Sequence, residues 1–256
     1  MKNIIITGSN GTIGKSLITS EKAKDFHFIP WNRNEVSVQD VHSMEKFILS
    51  CKASALVHLA AITSFDPELR TNSWHVNTEW PAELAQICRI YKISFVFISS
   101  AMVFTRNNQG PYTPESFPDA EYGYGYEKRK AEEMIWLRNK DAVILRLGWQ
   151  IDGNGDNTMT AHADREMILK NYIEAESTWY PSCSFISDTI NQICRSLNYN
   201  PGTYLINQNQ YYSYFEILCK LKALSFQLWN VHEKVDVYYD QRMMDTRIHI
   251  HPLFPE

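Results

Sequence analysis

The sequence has little that would send it to a membrane, a metal or a nucleic acid. Its longest apolar stretch, ALVHLAAI, is far too short to cross a bilayer. A net charge of −4 supplies no basic face for a polyanion, so nucleic acid is not the expected partner. The five cysteines, at 51, 88, 183, 194 and 219, form no CxxC and no zinc spacing. Scattered in this way they read as reduced, packed thiols, and no metal site is expected. The first residues enter a strand pattern directly, with no secretory leader ahead of it, so a cytoplasmic location is expected. No internal repeat, low-complexity tract or long linker interrupts the chain.

Glycine is scarce as well, yet three of the ten glycines crowd into TGSNGTIGKS, at Gly8, Gly11 and Gly14. A nucleotide-triphosphate loop ending in Gly14-Lys15-Ser16 needs its first glycine at position 9, and Ser9 stands there. Successive backbone N–H groups wrap the phosphate in such a loop, so one extra residue breaks it. A dinucleotide turn fits better. KNIIIT reads as a buried parallel strand, and Thr12 to Ile18 as a helix with Ile13, Leu17 and Ile18 on one side. In this reading Gly8 permits the tight turn, Gly11 lets backbone approach phosphate, and Gly14 lets the helix pack closely.

Strand and helix patterns then alternate. Strands are expected over 26–31, 55–60, 93–99 and 142–149, and helices over 41–50, 73–91 and 126–140. Pro81 marks a kink or restart inside the third helix. Alternation of this kind predicts an α/β fold, a Rossmann-type doubly wound parallel sheet with ligands at the strands' C-terminal ends. After Trp149 the pattern turns mixed and polar. Residues 1–150 are therefore read as the dinucleotide-binding domain and 151–256 as a smaller C-terminal substrate lobe, interleaved with the first.

The stretch EYGYGYEKRKAEE places tyrosine and lysine four apart twice, as Tyr124 with Lys128 and as Tyr126 with Lys130. Residues i and i+4 share a helix face. An ammonium beside a phenol lowers its pKa, which suits the phenol to proton transfer near neutral pH. Ser99 and Ser100, at the end of the fourth strand, could bond the same substrate oxygen. His58, inside the third strand, reads as a satisfied core residue.

Taken together, TGSNGTIG, LVHLAA, FISSAMVF, PYTPES with YGYEK, and LRLGW resemble the extended short-chain dehydrogenase/reductases. More narrowly they resemble the nucleotide-sugar branch that includes dTDP-4-dehydrorhamnose reductase. The likeness covers residues 1–150 well and weakens beyond them. It implies Tyr124 as the catalytic phenol, because Tyr124-Gly125-Tyr126-Glu127-Lys128 matches the Tyr-Gly-x-x-Lys pattern. It implies Ser100 as the hydroxyl partner and Lys128 as a ligand of the nicotinamide ribose. Gly8, Asn10, Gly11, Thr12, Ile13 and Gly14 would hold the dinucleotide, with Leu59, Ala60, Ala61 and Asn77 beside it. Thr63, Met102 and Trp149 would meet the sugar. Arg165, Arg195, Arg242 and Arg247 are all candidates for the diphosphate.

The end of the second strand bears on the cofactor. NAD is usually met there by an acid on its ribose hydroxyl; this chain has Asn32 followed by Arg33. Arginine attracts a 2′-phosphate with paired donors, so NADP(H) is preferred and NAD(H) is the alternative.

The resemblance implies an NADP(H)-dependent reductase of a keto group on a nucleotide-linked deoxysugar, with a homodimer suggested by analogy of fold alone. Two other readings stand beside it. Ala101 after Ser100 resembles the sugar 4-epimerases, which hold NAD tightly, whereas the rhamnose-type reductases continue with Asp-Tyr. A non-catalytic, dinucleotide-binding regulatory subunit is the third.

Overall fold

The structure is a computed structural model describing residues 1–63, 68, 70–152, 157–225 and 227–254. The first half alternates strand and helix: β1 (Lys2–Thr7), α1 (Thr12–Thr19), β2 (Phe26–Pro30), α2 (Val41–Ser50), β3 (Ala55–His58), α3 (Trp80–Ile90), β4 (Ser94–Ser100), α4 (Gly123–Arg138) and β5 (Val143–Leu147). The second half is more broken: β6 (Trp149–Ile151), α5 (Met159–Lys170), β7 (Ile173–Glu176), β8 (Trp179–Tyr180), β9 (Cys183–Phe185), α6 (Ile186–Ser196), β10 (Gly202–Ile206), α7 (Tyr214–Ser225), β11 (Val231–Lys234) and β12 (Tyr239–Asp240).

Two compact units result. The first comprises Met1–Thr105, Pro118–Arg146 and Ile190–Tyr204; the second comprises Arg106–Phe117, Leu147–Thr189 and Leu205–Glu256. The chain thus does not divide at one point near residue 150. It enters the second unit early, at residues 106–117, and returns to the first at 190–204.

The first unit is built on a six-stranded sheet in the order β10-β5-β4-β3-β1-β2. β1 pairs in parallel with both β2 and β3, and β3 with β4. The order reverses between β1 and β3, so the crevice at their carboxyl ends is the place for a ligand. β-branched and aromatic residues explain the buried strands, with Ile5, Leu56, Phe95, Phe97 and Ile144 in one core cluster. Val76, Leu84, Ile87 and Cys88 bury the inner face of the third helical segment. That segment opens with a π turn, His75–Glu79, and becomes α-helical at Trp80, so Pro81 marks the point where the helix restarts in a different winding. Ile18 departs from its expected place: it is 40% exposed, while Leu17 is buried.

In the second unit, β6 pairs with β9, β7 with β11 and β8 with β12, each in parallel. Its core gathers Ile151, Met159, Ile173, Ile217, Leu218 and Trp229.

Candidate functional site

The glycine turn follows β1 directly. Gly8 has φ +68°, and a Cβ there would lie 2.7 Å from the Ala60 nitrogen. A side chain at Gly14 would overlap the Gly8 carbonyl, so this glycine lets α1 close on the turn itself. Gly11 is different. Its Cβ would meet only the Gly8 oxygen, at 3.3 Å, so the protein leaves open the space beside it. Gly11 is also the N-cap of α1, with no side-chain cap and no acid in the first turn. The helix therefore presents an uncompensated positive end, bordered by Thr12 and Ile13, where a pyrophosphate fits.

Beside the turn lies a cleft of about 470 Å³, lined by Ser9, Asn10, Ile18, Pro30, Trp31, Asn32, Arg33 and Asn34. Among these residues Arg33 is the one charge. Asn32 is not free to stand in for an acid. Its amide donates to Glu35 at 2.7 Å and its oxygen accepts the Asn34 N–H at 3.1 Å, so its side chain builds the loop.

The end of β3 is tied to the end of β1. Thr7 Oγ1 accepts the N–H groups of Leu59 and Ala60, each at 3.1 Å. With both lone pairs used, its proton goes to His58 Nδ1, 3.1 Å away. The His58 proton then sits on Nε2. That atom is buried without a partner among the described residues, so His58 is a core residue only half satisfied. Its ring lies between Trp80 and Phe97, and burial holds its pKa well below the ordinary 6.5, with the Lys128 charge adding to the effect.

Helix α4 begins three residues earlier than its sequence pattern suggests, at Gly123, and carries both Tyr124 and Lys128. A Cβ at Gly125 would overlap the carbonyl of Met102. This glycine lets α4 close on the turn Ala101–Val103 that leaves β4, bringing the tyrosine helix to the serine strand. The two serines face opposite ways, as strand neighbours do. Ser99 Oγ donates to the buried Glu132 at 2.5 Å, behind the sheet end. Ser100 is half-buried and its Oγ accepts the Met102 N–H at 3.1 Å, which leaves its proton available.

The electrostatics correct one expectation. Burial, with the Glu127 charge adding to it, pushes the Tyr124 phenol up rather than down. Lys128 does not offset this. Burial takes its ammonium down to about 7, against the opposing pull of Glu132 and Glu127.

Glu127 is the residue the sequence did not disclose. An acid in a charged helix reads as solvated, yet this one is buried. Its carboxylate accepts from Ser73 Oγ at 2.8 Å, from Asn77 Nδ2 at 2.6 Å and from the Arg70 guanidinium. Asn77, in the π turn, also brackets Ile62, accepting its N–H at 2.8 Å and donating to its carbonyl at 2.9 Å. Asn77 thus supports the segment leaving β3, which holds Leu59, Ala60 and Ala61.

The remaining sites are less gathered. Thr63 is exposed, and Met102 is 43% exposed. Trp149 lies in the second unit, half-buried and stacked with Trp179 and Tyr214 at 6.2 and 5.8 Å between ring centres. Arg242 and Arg247 are paired with Asp240 and Asp245, each at 2.7 Å. Arg165 lies on α5, and Arg195, on α6, is exposed. No helix among the described residues is long and apolar enough to cross a membrane.

Against known families, residues 1–171 match the model described as RmlD substrate binding domain. The chain is 25% identical over 219 residues to the spore coat polysaccharide biosynthesis protein SpsK of Bacillus subtilis, covering 84% of this chain and 77% of that one. With dTDP-4-dehydrorhamnose reductase of Mycolicibacterium smegmatis it shares 24% over 192 residues, covering 74% of this chain but 58% of the relative, less than two thirds of its length. Among solved structures, dTDP-4-dehydrorhamnose reductase from Bacillus anthracis in complex with NADP has the same fold. It superposes with a TM-score of 0.80 at 21% identity, covering 92% of this chain and 85% of that one.

Proposed function

Because the chain belongs to the RmlD substrate binding domain family, we propose that it is an NADP(H)-dependent reductase of a keto group on a nucleotide-linked deoxysugar, of the dTDP-4-dehydrorhamnose type. The observation that carries the reading is the cleft at the end of β2, which opens beside the glycine turn and offers Arg33 but no carboxylate. The free space at Gly11 and the uncapped start of α1 support a pyrophosphate beside it. When bound, NADPH supplies the hydride for the sugar's carbonyl carbon.

The chain's own residues would do the rest. Arg33 would pair with the 2′-phosphate, and Lys128, buried on α4, would meet the ribose. Ser100 would donate its free proton to the substrate oxygen and polarise it. Tyr124 would deliver a proton to that oxygen as the negative charge develops. A phenol held high is well protonated at neutral pH, which suits a donor in the reducing direction. The protein positions these groups and the dinucleotide carries the redox change.

Ala101, directly after Ser100, favours the epimerase reading, in which tightly held NAD takes and returns the hydride. Fluorescence titration with NADPH and NADH separates the two. Reversible binding that favours NADPH by tenfold or more (about 1.4 kcal/mol) is the outcome for the reductase. NAD carried through purification, with no NADPH preference, would move the assignment to the epimerase. Tyr124→Phe should lose turnover by roughly 10²–10⁴-fold while still binding NADPH. An active parent with an equally active Tyr124→Phe would sink the mechanism.

A further inference from the structure

Between the two residues of the tyrosine–lysine pair stands a buried acid with no part in the chemistry above. Glu127 has one carboxylate oxygen on Arg70 and Ser73 and the other on Asn77. Its backbone carbonyl accepts from Thr78 Oγ1 at 3.0 Å. Three elements meet on this one side chain: the turn ahead of the π segment, the π segment itself and α4.

Asn77 is fully committed. Its oxygen takes the Ile62 N–H, and its two amide hydrogens go to the Ile62 carbonyl and to Glu127. The reversed amide would turn its oxygen onto the carboxylate and lose all three bonds. The carboxylate therefore fixes which way Asn77 points, and Asn77 fixes the Ile62 backbone. Ile62 follows directly on Leu59, Ala60 and Ala61, at the crevice where the strand order reverses.

We propose that Glu127 is a positioning residue for the coenzyme: acting through Asn77, it holds the segment that leaves β3 in fixed register with Tyr124 and Lys128 on α4. A buried carboxylate with three charge-assisted or short hydrogen bonds is a stiff link. In Glu127→Gln the one amide oxygen stays on Arg70 and Ser73, so the amide NH2 faces Asn77 Nδ2, donor against donor, and Asn77 is released. The proposal rests on the reductase reading only for its kinetic consequence; the link itself is independent of it.

The test compares wild type, Glu127→Gln and Glu127→Asp by two measurements. Hydrogen exchange of the Ile62 amide, followed without coenzyme, reads the link. In Glu127→Gln it should speed by about tenfold, the size of one buried bond left unmade. Steady-state kinetics with NADPH and dTDP-4-dehydrorhamnose reads the consequence. KM for NADPH should rise by about tenfold while KM for the sugar nucleotide stays within about twofold. Glu127→Asp, which keeps the charge, should recover part of both effects. If Glu127→Gln does not fold, Ser73→Ala removes one donor from the same carboxylate and should give a smaller change of the same kind. Unchanged Ile62 exchange, or equal rises in both KM values, would overturn the proposal. A wild type that turns over no substrate would refute the reductase reading, and Ile62 exchange would still decide the link.

Discussion

The ammonium of Lys128 lies 4.0 Å from the centre of the Phe97 ring and 6.0 Å from that of Tyr124. Its charge is therefore met by an aromatic face and by the fields of Glu132 and Glu127. Burial wins over both, and its pKa falls from the ordinary 10.5 to about 7. Between these two values the unfolded chain holds more protons than the folded one. Stability attributable to Lys128 must then rise with pH across that window and be flat below it. Urea unfolding of wild type and Lys128→Met at several pH values checks this. The wild type should gain on the variant from about pH 7 upward, and parallel curves would show that the ammonium is charged in the folded state.

Gly125 and Gly123 open the same helix with different obligations. A Cβ at Gly125 would overlap the Met102 carbonyl, whereas one at Gly123 meets nothing within 4 Å, although φ there is +68°. Gly123→Ala should cost about 1–2 kcal/mol through backbone strain alone. Gly125→Ala should cost about 1–3 kcal/mol of overpacking, and should push α4 off the turn that holds Ser100. Thermal unfolding with turnover measured beside it checks both. Gly125→Ala should lose activity far out of proportion to its stability, and Gly123→Ala should not.

Much of this was readable in the residues. The strands over 2–7 and 26–31 and the helix over 41–50 fall within a residue of their places, because β-branched runs and 3.6-residue periodicity are local signals. The start of α4 was not, since Tyr-Gly-Tyr-Gly reads as a turn until the carbonyl of Met102 shows why Gly125 is needed. Glu127 and the half-satisfied His58 were hidden for another reason. Burial of a polar group depends on partners distant in sequence, here Ser73 and Asn77 for one and Thr7 for the other. The second unit was the least legible: its strands are two to four residues long, too short to show a period.

Arg33 lines the cleft at the end of β2 with its guanidinium free of ion pairs among the described residues. Arg33→Ala should weaken NADPH binding by roughly ten- to a hundredfold, as expected for loss of a charge-assisted pair worth about 1.5–3 kcal/mol. NADH binding should stay within about twofold, since NADH has no 2′-phosphate. Isothermal titration of both coenzymes to both proteins makes the comparison. Equal losses for NADPH and NADH would mean that Arg33 shapes the loop and does not read the phosphate.

Thr7 bears the hydrogen bonds that join β1 to the segment leaving β3. Valine has its shape and suits a strand, but it can neither accept from Leu59 and Ala60 nor donate to His58. Thr7→Val should therefore destabilise by about 1–3 kcal/mol, the lower part of the range for two N–H groups left unmade, because both bonds are part-buried. The assignment of its proton to His58 Nδ1 makes a second, sharper prediction. The imidazole should be neutral with its hydrogen on Nε2, and should remain so below its ordinary pKa of 6.5. Nitrogen-15 shifts of His58 read the tautomer directly. In Thr7→Val the donor to Nδ1 is gone and the preference for Nε2–H should weaken. A double-mutant cycle with His58→Leu should then return a coupling of about 1 kcal/mol. Zero coupling, or an Nδ1–H tautomer in the wild type, would mean that the Thr7 hydroxyl points elsewhere and that the two N–H groups alone hold the turn.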